Sequence, residues 1–347
     1  MEVLTLRNVD AFVVFDLDDA PHNAGGTRLA PDVTEREGAS LARAMTYKFA
    51  VLGHPLGGAK GLVRSNADDR GAAMDRYCEE IRPLVESRRF ATGPDLGTYE
   101  SDFASLRPTN WEPHVMNSVV DGVAFEDVLT GFGVAVAADV AFGGLEGRTV
   151  ALEGFGKVGA GVAREFTRRG GRVVAISTLA GCVADAAGLE LDELWEARAA
   201  HGDQLVSALG RECHPRDALF EIEADVLVPG ARVGVLDERR SGRLGARAVV
   251  PAANVPYTTG GLAALVARGI AAHADFVCNA AAVVGYTSPA SASQDDVLAR
   301  VEKTISRLVR ECAADERGPF AGASAIAEQF LRTWRTAGDL PSGPPLA

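Results

Sequence analysis

Three side chains of this sequence could move protons and hold an anion. Lys48 ends Met45-Thr46-Tyr47-Lys48, and Lys60 ends Gly57-Gly58-Ala59-Lys60 twelve residues later. Asp95 follows in Gly93-Pro94-Asp95-Leu96-Gly97. A lysine in a glycine-rich, desolvated pocket shifts toward its neutral form. Such a lysine can act as a base near neutral pH. Gly57 and Gly58 would let substrate and backbone come close to Lys60. Lys48, at a helix end, suits a carboxylate. Asp95, between stiff flanking residues, suits a proton carrier. Taken singly, these are two surface lysines and a turn aspartate; the argument for chemistry rests on the set.

The set precedes a cofactor signature, Gly154-Phe155-Gly156-Lys157-Val158-Gly159. The signature follows an expected strand, 148–152, and opens an expected helix, 157–169, the context that makes a G-x-G-x-x-G informative. Gly154 allows the tight turn, Gly156 lets backbone approach a pyrophosphate, and Gly159 lets helix and strand pack closely. The phosphates then meet the amides and dipole of a helix N-terminus. At the end of the next strand, where a carboxylate would hold a ribose hydroxyl, stand Ser177 and Thr178. Neither repels a 2′-phosphate, so both NAD and NADP are admitted. Arg169 and Arg172 nearby read as solvated cations.

The elements that must position these residues form an α/β pattern. Ala11–Phe15 reads as a strand and 23–28 as a turn. Residues 35–52 read as a helix, with Leu41, Met45 and Phe49 at four-residue spacing and Thr34 as cap. Residues 73–84 and 125–142 read as further helices, the latter as a link between domains, with Val128, Phe132, Val136 and Val140 on one face. Strands are expected at 148–152, 172–176, 224–228, 246–250 and 276–278. Strands alternating with helices argue for a doubly wound parallel sheet. The helices 294–312 and 321–335 are expected to return to the first domain, and the tail 341–345 to fray.

Bulk properties exclude other classes. The 347 residues suffice for two domains, and 47% hydrophobic content fits a globular chain. A net charge of −12 argues against nucleic-acid and anionic-membrane partners. No apolar run reaches membrane-spanning length, and the first residues lack a signal peptide's pattern. Five scattered cysteines without a C-x-x-C pair read as reduced thiols and a cytoplasmic location. Cys213-His214 reads as a chance pair ahead of Pro215, and no metal is expected.

At these residues the chain resembles the glutamate/leucine/phenylalanine/valine dehydrogenase family. The matching segments run in order: Gly25-Gly26-Thr27-Arg28, Met45 to Lys48, Gly57 to Lys60, Pro94-Asp95-Leu96-Gly97-Thr98 and Thr130-Gly131-Phe132-Gly133-Val134. The glycine signature, Ala253-Asn254 and Asn279-Ala280-Ala281-Ala282-Val283 follow. The resemblance implies two domains with a cleft: a substrate domain at 1–127 joined by 320–347, and a Rossmann domain at 128–319. It implies exchange between an L-amino acid and its 2-oxo acid plus ammonia, in a homo-oligomer. It implies Lys60 as the water-activating base, Asp95 as the proton shuttle and Lys48 as holder of the α-carboxylate. Asn254 and Asn279 would lie near nicotinamide and substrate, and Thr130 near the carboxamide.

The sequence departs from the family in four places. Glutamate-specific members carry a lysine just before the first glycine pair; here it is Ala24, which implies a substrate other than glutamate. The implied side-chain pocket is Ala24, Gly93, Val283 and Tyr286, a reshaped set that admits a non-proteinogenic amino acid. Alanines stand where the family has glycines, at Ala59, Ala281 and Ala282. The segment ahead of Ala11 is short, and in the family that segment serves subunit contacts. Two alternatives stand beside the dehydrogenase reading: a reductase of a related imine or oxo acid in a specialised pathway, and an inactive NAD(P)-binding regulator.

Overall fold

The computed structural model describes residues 1–108, 114–120, 122–336 and 340–347. They divide into two compact units, Met1–Pro113 with Ala325–Pro345 and His114–Ser324 with Leu346–Ala347. The expected boundary at 127/128 thus lies inside the second unit, and so does the helix 125–142 that was expected to link domains.

The first unit is built on a mixed sheet. Its elements are β1 (Glu2–Thr5), β2 (Ala11–Phe15), β3 (Asn23–Ala24), β4 (Thr27–Leu29), α1 (Glu35–Val51), β5 (Gly57–Val63), α2 (Arg70–Glu86) and β6 (Phe90–Ala91). The strand order is β1-β2-β5-β3-β6, with β4 also paired to β5. β5 is buried along its whole length. One of its faces packs on α1 and the other on α2: a side-chain carbon at Gly58 would lie 2.0 Å from Ala42 O of α1, and one at Gly61 2.0 Å from the Tyr77 hydroxyl of α2. Thr34 caps α1, accepting from the Glu37 amide. Residues 23–28, expected as a turn, are instead two short strands parallel to β5, broken at Gly25-Gly26. Glycine there is a packing requirement, since a side-chain carbon at Gly25 would lie 1.7 Å from Ala59 O.

The second unit opens on the hairpin β7 (Val119–Val120) and β8 (Val123–Ala124), then α3 (Phe125–Phe142). Next come β9 (Thr149–Glu153), α4 (Lys157–Arg168), β10 (Arg172–Thr178), β11 (Gly181–Ala184), α5 (Leu191–His201) and α6 (Leu205–Ala208). β12 (Ala224–Pro229), α7 (Glu238–Gly242), β13 (Ala246–Val249), α8 (Thr259–Ala267) and β14 (Ala271–Ala272) complete the sheet. Its order is β11-β10-β9-β12-β13-β14, parallel except for β11. β9 has β10 on one side and β12 on the other, so the order reverses at its C-terminal end, where α/β sheets bind ligands. This is the expected α/β, doubly wound architecture.

Some sequence expectations fail. Residues 276–278 lie in a helical turn, α9 (Asp275–Cys278), with the Asn279 amide donating to Asp275 O at 2.9 Å. A short apolar run cannot tell a buried turn from a buried strand. The last strand is β14, which the sequence reading missed, as it missed β11. Next come α10 (Ala281–Tyr286), α11 (Gln294–Ala313) and α12 (Pro319–Leu331). α11 packs on α3, α9 and α10 within the second unit, and does not return to the first. Among the described residues that follow α11, 325–336 and 340–345 do so. On α3, Val128, Phe132 and Val140 are half-buried, while Leu129 and Val134 are fully buried; the helix is enclosed nearly all round, so no single stripe marks its inner face. The tail is held rather than frayed, with Gly343 O accepting from Arg43 Nη1 at 2.9 Å.

Candidate active site and cofactor site

In the first unit, Lys60 sits mid-strand on β5, paired with Val14 of β2, and is 3% exposed. Its Nζ contacts Asp95 Oδ2. Burial pushes the Lys60 ammonium down from the ordinary lysine range, Asp95 pulls it back up, and the nearby Arg28 guanidinium pushes it down again. Burial alone would raise the Asp95 carboxyl, but Lys60 and Arg28 overcome it and hold it below the usual carboxylate range. The Asp95 loop is fixed to β4: the Asp95 amide donates to Thr98 Oγ1 at 2.9 Å, and that hydroxyl donates to Thr27 O at 2.8 Å. Gly26 gives the loop room, since a side-chain carbon there would lie 2.9 Å from Pro94 O.

Lys48 is buried in the last turn of α1. Ala24 lies on β3, between Gly58 and Ala91 of the neighbouring strands. A side-chain carbon at Gly93 would meet nothing within 4 Å. Residues 24, 25, 26, 48, 60, 93 and 95 all belong to the first unit, and the remaining expected site residues to the second. Lys60 and Asp95 meet directly. Arg28 joins them, a residue that the sequence reading carried inside a matching motif without assigning it a role.

In the second unit the three glycines take the geometry that their spacing predicts. Gly154 has φ +91, a conformation that favours glycine. Gly156 caps α4, and a side-chain carbon on it would meet nothing within 4 Å. One on Gly159 would lie 2.2 Å from Gly154 O. Phe155 is buried against Trp195 of α5, with ring centroids 5.9 Å apart. Val158 follows in the first turn of α4, and Lys157 is exposed and pairs with Asp127 at 3.4 Å. Arg198 of α5, missed from sequence, donates from Nη1 to Gly156 O at 3.0 Å.

At the end of β10, Ser177 Oγ is buried without a hydrogen-bond partner among the described residues. The Thr178 hydroxyl donates to Asp203 O at 2.6 Å. An open helix N-terminus and an unspent buried hydroxyl at the sheet's reversal point fit a dinucleotide.

Two further clusters lie in this unit. Asn279 Nδ2 donates to Asn254 Oδ1 at 2.9 Å and to Ala252 O at 3.0 Å. Beside Asn254, Val255 takes φ +50, with its amide donating to the buried Asp275 Oδ2 at 2.9 Å. The other cluster is Thr130, Val283 and Tyr286. The Thr130 hydroxyl donates to Glu126 O at 2.8 Å, and the Tyr286 hydroxyl donates to Glu126 Oε2 at 2.7 Å. Tyr286 is 45% exposed and stacks on His114, and Val283 is half-buried on the same helix.

Residues 6–110 match the Glu/Leu/Phe/Val dehydrogenase dimerisation domain, and residues 122–327 match Glutamate/Leucine/Phenylalanine/Valine dehydrogenase. The chain belongs to this dehydrogenase family. Membership makes it an oxidoreductase of the amino-acid dehydrogenase class, with NAD or NADP as the cofactors that its relatives' names carry.

Among the relatives, it is 33% identical over 285 residues to the NADP(+)-dependent glutamate dehydrogenase of Pyrobaculum calidifontis, covering 75% of this chain and 67% of that one. It is 29% identical over 350 residues to the NAD-specific glutamate dehydrogenase A of Halobacterium salinarum, covering 90% and 75%. The hetero-hexameric glutamate dehydrogenase of Thermus thermophilus, in its Leu-bound form, superposes with a TM-score of 0.77 at 27% identity, covering 94% of this chain and 86% of that one. The L-tryptophan dehydrogenase of Nostoc punctiforme shares the fold, with a TM-score of 0.63 at 20% identity, covering 96% and 95%. Among the described residues, no helix is long and apolar enough to cross a membrane.

Proposed function

We propose that the protein oxidises an L-amino acid other than glutamate to its 2-oxo acid and ammonia, and runs the reverse reductive amination. The buried contact between Lys60 and Asp95 carries this reading. A lysine whose ammonium is destabilised by burial can be neutral when a proton must be taken. In this reading Lys60 accepts a proton from the water that attacks the imine carbon. Asp95, ionised beside it, takes and returns protons at the amino nitrogen. Lys48 holds the α-carboxylate as a point charge.

The first unit is the substrate domain and the second the dinucleotide domain. Bound NAD or NADP supplies the hydride acceptor or donor. Gly156 lets its pyrophosphate approach the start of α4, Gly154 and Gly159 shape that turn, Phe155, Lys157 and Val158 complete it, and Ser177 and Thr178 sit at the ribose end. Asn254, Asn279 and Thr130 orient the nicotinamide side. The match to a dimerisation domain supports a homo-oligomer.

The substrate reading rests on Ala24, whose methyl group cannot pair with a second carboxylate. By the family resemblance, Ala24 and Gly93 of the first unit and Val283 and Tyr286 of the second are each assigned to side-chain selection. Twenty amino acids with NAD and NADP, and a panel of 2-oxo acids with ammonia and the reduced cofactors, test the proposal. Turnover of an aliphatic or aromatic substrate at least about tenfold above glutamate supports it. Comparable turnover of glutamate overturns the substrate claim. Binding of NAD(P)H without any turnover overturns the enzymatic one.

A further inference from the structure

Arg28 stands in a row of alternating charges. Its Nε donates to Asp95 Oδ2 at 3.3 Å, and its Nη1 donates to Glu37. The same Asp95 oxygen contacts Lys60. The order is therefore Glu37, Arg28, Asp95, Lys60, and the side chains of Arg28 and Lys60 are only 13% and 4% exposed. Water and salt screen such charges poorly. The row is also fixed at the backbone. Arg28 pairs with Leu62 across β4 and β5, and the Glu37 amide is held by the Thr34 cap.

Lys60 shares its face of β5 with Gly58 and Leu62, by the alternation of a strand. That face packs on α1. The charged groups on α1 are Glu35, Arg36, Glu37, Arg43 and Lys48, with Arg43 bonded to Asp16 at 2.6 Å. β4 contributes Arg28 and the adjoining loop Asp95. β2 contributes no titratable group. α2 lies behind the sheet, and its Tyr77 hydroxyl bonds Thr27 Oγ1.

We infer that Arg28 and Glu37 are positioning residues that set, in opposite senses, the pH at which Lys60 becomes a base. The guanidinium opposes a second positive charge on Lys60 while orienting Asp95. Glu37, one step further out, offsets the guanidinium. Neither residue needs to touch the substrate. The burial of Lys60, the charge row and the tendency of its ammonium to lose its proton point the same way. The inference rests on the proposed reading of Lys60 as the base, and the test separates the two.

The test measures the neutral fraction of Lys60 against pH in the full chain without substrate, by its acetylation with acetic anhydride and peptide mass spectrometry. In parallel, kcat/KM for amino-acid oxidation is measured against pH. Arg28→Gln is expected to move the Lys60 midpoint, and the acid limb of the rate, upward by about one pH unit. Glu37→Gln moves both downward by about half a unit. Arg28→Lys keeps the charge and returns the midpoint close to wild type. A merely structural role would lower the rate in both variants and leave the midpoints in place, or move them in one direction; either result overturns the inference. Opposite midpoint shifts in a protein that oxidises no amino acid would sustain the inference and sink the functional reading. Should Arg28→Gln fail to fold, Glu37→Gln and Arg28→Lys still decide the matter.

Discussion

The two units hold buried bases in different ways. In the first, Lys60 is buried but not alone: Asp95 touches it and Arg28 flanks Asp95. Burial pushes its ammonium down while the carboxylate pulls it up, and the downward push is the larger. In the second, His273 is equally enclosed, and burial alone pushes it down to about 4. Burial thus favours its neutral ring at neutral pH. The expected cofactor residues of that unit are glycines, amides and hydroxyls: Gly154, Gly156, Gly159, Asn254, Asn279, Ser177, Thr178 and Thr130. In the first unit an opposing charge meets the effect of burial, and at His273 nothing among the described residues does. Burial by itself drives a group toward its neutral form; burial beside an opposing charge sets two effects against each other.

The largest expected effect breaks the charged region alone. Lys60→Ala removes the base and leaves Asp95 without its nearest cation. Turnover should fall by about 10³-fold, within the range that general-base catalysis contributes. Binding of NAD(P)H, followed by fluorescence titration, should stay close to wild type, because none of the glycines is touched. A variant with near-normal rates would show that the lysine is only a buried structural charge.

The second prediction separates His273 from Lys60. Its folded pKa, about 4, lies below the unfolded value of about 6.5. The unfolded chain therefore takes up the proton first as pH falls. The stability linked to the neutral ring is complete above about pH 6.5 and is lost as pH drops toward 4. Over that window the loss amounts to about 3 kcal/mol. His273→Gln removes the titration, so the stability gap between variant and wild type should change by that amount between pH 7 and 4 in urea melts. The rate at neutral pH should not respond. A constant gap would mean that the imidazole is not held neutral, and the contrast with Lys60 would fail.

How much of this was legible in sequence follows from how local each feature is. The glycine signature is a contiguous piece of backbone chemistry: Gly154 has the left-handed φ, and Gly159 the close approach to Gly154 O, that its spacing predicts. Helix α1 was legible for the same reason: the Thr34 cap and a four-residue repeat are both local. Lys60 and Asp95 were legible as types, but their contact depends on β4 and on Gly26 bringing a loop against a strand, which no short-range pattern encodes. Arg28 was in view inside a matching motif, yet its bond to Asp95 is a contact 67 residues apart along the chain. Residues 276–278 misled because three buried apolar residues look alike in a strand and in a turn. Tyr286, expected at a pocket position, is 45% exposed with its hydroxyl on Glu126, a contact 160 residues apart along the chain that no short-range pattern encodes.

The smallest expected effect sharpens the second unit's side of the comparison. Gly156 and Gly159 stand three residues apart in one signature, but the fold needs them for different reasons. A methyl group at Gly159 meets Gly154 O at 2.2 Å, so Gly159→Ala must move backbone. That should cost about 2 kcal/mol of stability whether or not a dinucleotide is bound. A methyl group at Gly156 meets nothing within 4 Å among the described residues, and its φ of −76 suits any residue. Gly156→Ala should therefore leave thermal stability within about 1 kcal/mol of wild type. Its effect should appear only when NAD(P)H is titrated, as a dissociation constant raised about tenfold, or about 1.4 kcal/mol. If Gly156→Ala binds NAD(P)H as tightly as wild type, the open space at the start of α4 is not where the phosphates lie, and the second unit holds its cofactor by some other surface.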